Sequence, residues 1–124
     1  MFARLFLYRK LRAEAPPIIA EWERALDVGV NRLYVRQMKT KWGTSNPRAR
    51  SIRLNTELAK KPRQCLEYII VHEMVHFLDS RHGNRFITLM DKFMPDWRLR
   101  KDELNRQPLA QERWEFETCS PIDR

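Results

Sequence analysis

Within the run Ile70-Val71-His72-Glu73-Met74-Val75-His76-Phe77-Leu78, two histidines stand four residues apart with a glutamate directly after the first. On a helix turning about 100° per residue, His72 and His76 lie one above the other on one face, so both imidazoles can reach a single ion. Glu73 then stands beside that ion, placed to take a proton from water rather than to act as a ligand. This HExxH arrangement is the chemistry of zinc-assisted hydrolysis. The plain alternative is a chance match, yet the three polar residues interrupt an otherwise apolar helix, where an uncompensated buried carboxylate is costly. A metal would supply the compensation.

Catalytic zinc usually takes three protein ligands and keeps one position open. The third histidine of the chain is His82. On a continuous helix it would point about 80° away from the face shared by His72 and His76, so the helix must end first. Asp79-Ser80-Arg81 offers the break and Gly83 lets the chain fold back, giving HExxHx5H, much as a histidine returns to zinc after a glycine-assisted turn in metzincins. The alternative third ligand is a carboxylate, Asp91 or Glu103. An oxyanion formed in such a site must be stabilised by Arg81, Arg85, Tyr68, a hairpin backbone amide or the metal alone, and the sequence does not choose among them.

Several elements must position these groups. Leu5 to Asp27 reads as a helix carrying Leu5, Leu7, Leu11, Ile18, Ile19, Trp22 and Leu26. Pro16 and Pro17 are expected to break or restart it, with Gly29 as its stop. Leu33 and Val35, and later Ile52 and Leu54, alternate with polar residues at the period of half-buried strands. The turn-rich segment Gly43 to Pro47 reads as the connection of a long hairpin between them, with Arg32, Arg36 and Arg53 on its outward face. Pro62 suits the start of the next helix, whose run from Leu66 to Leu78 is apolar nearly all round, and Asp79-Ser80 ends it. Arg85 to Phe93 is a further amphipathic helix halted by Pro95. Beyond Asn105 the sequence is polar without clear periodicity. Trp42, flanked by lysines, reads as a cap on a core edge or a surface for substrate, and Tyr68 as core or as support for His72.

At 124 residues the chain is expected to be one domain, with a core from about 11 to 104 and a polar tail from 105 to 124. It shows no membrane-spanning run and no cleavable leader. Its two cysteines, Cys65 and Cys119, lack metal-type spacing, so a reducing cytoplasmic setting with both thiols free is expected. The net charge is +8, but between Arg32 and Arg63 ten basic residues face one acid, Glu57, and that stretch alone carries +9. Such one-signed asymmetry suggests a polyanionic partner such as nucleic acid, or an anionic substrate, set against a merely solvated face.

The chain resembles the YgjP-like metallopeptidase domain family, and more distantly the WLM and SprT-type zinc proteases. The resemblance runs through Arg36-Gln37-Met38-Lys39-Thr40-Lys41-Trp42-Gly43, then Ile52-Arg53-Leu54-Asn55, the HExxH helix, and His82-Gly83-Asn84-Arg85-Phe86 leading to Met94-Pro95-Asp96. It implies an α+β, zincin-like domain with an N-terminal helix and a small β-sheet or hairpin packed on the active-site helix, followed by a further helix. It also implies Zn2+ on His72, His76 and His82 and a catalytic Glu73. Two departures are visible: Thr44 and Ser45 stand where many relatives have serine and cysteine, and residues 1–31 do not provide the β-rich N-terminal region that many relatives carry.

The function expected is therefore a zinc-dependent metallopeptidase acting on peptide or protein. One rival is a metal-dependent hydrolase of nucleoside triphosphates, with the basic segment holding the nucleotide. The other is a nucleic-acid-binding module with structural zinc, which would have no use for Glu73 as a base.

Overall fold

The computed structural model describes residues 2–106, and side chains from residue 4. Of the tail expected from residue 105, only Asn105 and Arg106 are described, and Asn105 is buried rather than part of a polar tail; the rest, with Cys119, lies outside the described residues. Helix α1 spans Phe2–Leu26. Strands β1 (Arg32–Arg36), β2 (Gly43–Asn46) and β3 (Ser51–Asn55) follow, then a 3-10 helix (Thr56–Lys60) and helices α2 (Arg63–Val75), α3 (Asn84–Phe93) and α4 (Trp97–Asn105). The architecture is α+β.

Helix α1 is not broken at its prolines: Pro16 and Pro17 both lie inside it. Each removes a backbone donor and crowds the preceding turn at a cost of roughly 3 kcal/mol in a helix interior. The helix survives because one stripe continues at helical spacing on both sides of the pair, with Leu7, Leu11, Ala15, Ile18 and Leu26 buried and Trp22 half-buried against the core between the last two. The prolines themselves face solvent. The stop is also not Gly29. Asp27 takes a left-handed conformation (φ 58°), and the Val28 amide donates to the Glu23 carbonyl at 3.3 Å. That six-to-one closure caps the helix two residues before the glycine.

The sheet differs from the expected hairpin. β1 and β3 run parallel, with Leu33 opposite Ile52 and Val35 opposite Leu54. The segment read as a turn contains β2, antiparallel to β3 with Gly43 opposite Leu54 and Ser45 opposite Ile52. The strand order is β1-β3-β2, so β1 and β2 are the two edges. Parallel strands cannot be joined by a tight turn, and the chain crosses from β1 to β3 by way of the far edge. The tight turn is Pro47–Arg50, where Arg50 adopts φ 56°. The expected alternation holds: Val35, Ile52 and Leu54 are buried, and Arg32, Arg36 and Arg53 are exposed on the opposite face.

Asn55 ends β3 fully buried. Its side-chain amide donates to the carbonyls of Met38 (2.8 Å) and Lys41 (2.7 Å), and its carbonyl oxygen accepts from the Glu57 amide at 3.0 Å. One side chain thus pins the loop that leads into β2 and caps the 3-10 helix.

Helix α2 is the hub, buried continuously from Tyr68 to Val75. Burial all round explains its nearly unbroken apolar run. Glu67 on α2 ties two neighbours to it, accepting from the Trp22 indole of α1 at 2.7 Å and from the Arg100 guanidinium of α4 at 2.8 Å. Helix α4 was not legible in the sequence, because its pattern is short and dominated by charge. Among the described residues no helix is long and apolar enough to cross a membrane.

Candidate active site

Helix α2 ends earlier than the apolar run suggested, at Val75 rather than beside Asp79, with His76 at its cap. The amides of Phe77 and Leu78 then turn back onto the carbonyls of Met74 and Val75, each at 2.9 Å. The Asp79 carboxylate receives the Arg81 amide at 3.1 Å, a local turn that redirects the chain. His82 follows, and Gly83 caps α3 with φ −94°, a conformation open to any residue. The return of His82 is thus made by the early helix end and the Asp79 turn, and no left-handed glycine is needed.

The three imidazoles come together. Their candidate ligand atoms all lie within 4.8 Å of one another, and the ring centroids are 4.9 Å apart for His72 and His76, 5.3 Å for His72 and His82, and 4.5 Å for His76 and His82. Asp91 and Glu103 are engaged elsewhere. The Asp91 carboxylate accepts from the Trp97 indole and from Arg98, both at 2.8 Å, and Glu103 accepts from Gln64 at 3.0 Å. Among the described residues, only the three histidines form a group of this kind.

Phe86, on the first turn of α3 and fully buried, packs against all three rings, with centroids at 5.1 Å from His72, 4.5 Å from His76 and 4.9 Å from His82. Tyr68 meets His72 edge-on at 5.9 Å and stacks on Trp97 at 6.5 Å. This aromatic wall was missed in the sequence as a site element. The available signal was the spacing of Phe86 four residues after His82, on the first turn of an amphipathic helix. Trp42 is buried in the core with Lys61 5.5 Å above its ring, so it is a core residue and offers no substrate surface. Arg81 and Arg85 are exposed, whereas Tyr68 is fully buried.

Glu73 is also fully buried, with Oε2 3.3 Å from Nδ1 of His72. It faces the edge strand: a β-carbon built on Gly43 would lie 3.5 Å from Glu73 Oε2 and only 2.8 Å from Cγ2 of Ile69. Glycine is what lets β2 approach α2 this closely. On the other side of the cluster, Nδ1 of His76 is 3.3 Å from the Asp79 carbonyl.

Burial holds the charged forms of His72 and His76 down, bringing both to about 3. Lys101 adds to the effect on His72. Neighbouring His72 and His82 add to it on His76, against a weaker opposing pull from Glu73 and the Asp79 carbonyl. Both rings are therefore neutral near pH 7, with a lone pair to offer. Two neutral imidazoles on a buried helix, met by a third histidine from the partly exposed turn that follows, are a donor set that fits a divalent ion of the zinc type.

Comparison with known proteins agrees with this geometry. The structure is similar to that of the metallopeptidase zymogen jannalysin of Methanocaldococcus jannaschii, 24% identical, with a TM-score of 0.57, covering 67% of this chain and 88% of that one. It is also similar to the metallopeptidase zymogen abylysin of Pyrococcus abyssi, 17% identical, with a TM-score of 0.66, covering 73% of this chain and 91% of that one. At these identities the likeness establishes the zincin-like fold. A comparison with curated protein sequences gave no match. The YgjP-like metallopeptidase domain model, in contrast, matches residues 2–107, which takes in every described residue. With that match the chain is a metallohydrolase and belongs to the YgjP-like metallopeptidase domain family.

Proposed function

We propose that the chain is a zinc-dependent peptidase in which His72, His76 and His82 hold the ion and Glu73 is the general base. The observation that carries this reading is the convergence of three imidazoles, two of them buried and held neutral, beside a buried carboxylate on the same helix. With their protons on Nδ1, directed at Glu73 and at the Asp79 carbonyl, His72 and His76 present Nε2 to the ion. Zinc ligands are commonly oriented by such partners. When bound, zinc supplies Lewis acidity that polarises a substrate carbonyl and acidifies water. Glu73 accepts the proton of the attacking water and then delivers it to the leaving amine. Phe86 and Tyr68 fix the ring orientations and keep bulk water away from the far side of the cluster. Hydrolysis of nucleoside triphosphates is the rival chemistry. The basic residues that would hold a nucleotide lie in part on the sheet face turned away from the helices, which favours peptide as the substrate.

Metal content and a peptide cleavage assay test the assignment together. The purified protein should carry about one zinc per chain, lost in His72→Ala or His76→Ala. Glu73→Gln should keep the metal while turnover falls by a factor of at least about 100, as expected for loss of a general base. Undiminished turnover in Glu73→Gln would remove the base assignment. Hydrolysis of nucleoside triphosphates without peptide cleavage would move the reading to the rival substrate.

A further inference from the structure

At the edge of the sheet opposite β2, a cleft of about 320 Å³ runs between α1 and β1. Its helix side is Arg12, Pro16, Ile19 and Glu23, one face of α1 at spacings of four, three and four. Its strand side is the unbroken run Val30-Asn31-Arg32-Leu33, leading into and along edge strand β1. The apolar members, Pro16, Ile19, Val30 and Leu33, make the floor, and Arg12 and Arg32 are exposed on the rim. Glu23, the one acid of the cleft, is engaged by the Val30 amide at 2.8 Å. Arg12 uses one guanidinium nitrogen on the Leu33 carbonyl at 3.0 Å, which leaves other donors of its fork for a ligand. Arg32 belongs to the same exposed face as Arg36 and Arg53, and among the described residues none of these four arginines is in an ion pair.

We propose that this groove is an exosite for an extended acidic peptide segment, whose carboxylates meet Arg12 and Arg32 while alternate apolar side chains settle on Pro16, Ile19, Val30 and Leu33. A helix face beside a strand edge is a shape that accepts an extended chain. Alternation along that chain matches an apolar floor with a charged rim. Guanidinium forks suit carboxylates in particular. A nucleic acid is the poorer occupant, because the aromatic ring of the cationic face, Tyr34, is already covered by Arg36 at 5.8 Å and Arg53 at 5.6 Å and offers no bare stacking platform. The groove lies along β1, at the opposite sheet edge from β2 and its Gly43, so it holds substrate away from the strand beside Glu73. Its value to the enzyme rests on the peptidase reading, but its occupancy does not.

Fluorescence anisotropy with the whole chain tests it, using a labelled ten-residue peptide that alternates glutamate with valine or leucine, its glutamine counterpart, and a labelled single-stranded DNA. The peptide is checked intact by mass spectrometry after each titration, so binding is read apart from turnover. The glutamate peptide should bind more tightly than the glutamine one and weaken with salt. It should weaken on the order of tenfold in Arg32→Glu, while Lys92→Glu on α3, the same charge change elsewhere, leaves it unaltered. Arg12→Ala should act in the same direction as Arg32→Glu. Equal binding of the two peptides, absence of binding, or equal effects of Arg32→Glu and Lys92→Glu would overturn the proposal. So would DNA binding lost in Arg32→Glu with no binding of the acidic peptide, an outcome that would assign the face to nucleic acid.

Discussion

Gly43 stands directly beside Glu73 with Ile69 filling the space a side chain would need: a β-carbon on the glycine would be in ordinary contact with Glu73 Oε2 at 3.5 Å but would collide with Ile69 Cγ2 at 2.8 Å. The edge strand is thereby set directly against the proposed base. Gly43→Ala should destabilise the protein by about 1–3 kcal/mol, because overpacking at a rigid helix-strand contact forces backbone to shift. Activity should fall further than stability predicts, since Ile69, the group that must move, lies one turn before Glu73 on α2. Thermal melting together with kcat/KM at a temperature where the variant is folded checks this, and wild-type activity would show that β2 does not position Glu73.

The grouping of the histidines makes a prediction about the third ligand. His82→Ala should cost far more zinc, on the order of tenfold or more in affinity, than Asp91→Ala or Glu103→Ala, whose carboxylates are bonded to Trp97 and Arg98 and to Gln64. Competition with a chromogenic chelator measures it. An empty site in Asp91→Ala, with zinc retained in His82→Ala, would reverse the assignment.

Asn55 should behave as a structural pin. Its replacement by alanine takes the side-chain donors from the part-buried carbonyls of Met38 and Lys41 and removes the cap on the Glu57 amide, at a cost of about 2–4 kcal/mol. Because the freed loop leads into Gly43, peptide cleavage should fall as well, while zinc content stays near one per chain. Chemical denaturation and metal analysis of the same preparation separate the two effects.

Acid should destabilise the metal-free protein in two overlapping windows. His72 and His76 have folded values of about 3, below the unfolded value near 6.5, so the unfolded chain binds more protons between those limits and stability is lost as pH falls through that range. Glu67 adds in the same direction at lower pH. Burial alone would raise its value, but hydrogen bonds from Arg100 and Trp22 outweigh it and hold the carboxyl below its usual 4.5. Its contribution is present above the unfolded value and lost as pH falls through the folded one. Melting temperatures of chelator-treated protein from pH 7 to pH 4 should decline, and less steeply in Glu67→Gln over the lower part of the range. A flat profile would remove the buried-neutral histidines.

Local pattern was sufficient for what depends on local geometry. The four-residue spacing of His72 and His76 needs only a helix to bring the rings onto one face, and the apolar run around them required that helix to be buried on every side. The alternation of Leu33, Val35, Ile52 and Leu54 likewise settled which side chains face the core, because side-chain parity along a strand does not depend on its partner. Tertiary structure decided what depends on partners distant in the chain. Whether β1 and β3 run parallel, and whether Gly43–Asn46 is a turn or a strand, turn on hydrogen bonds made across the sheet. Pro16 and Pro17 predict a break by local rules, and the break is overridden by burial of a stripe that continues on both sides of them. The packing of Phe86 over three histidines is set by where α3 docks on α2. The approach of Gly43 to Glu73 is set by where the sheet docks, a distance that no spacing within the sequence encodes.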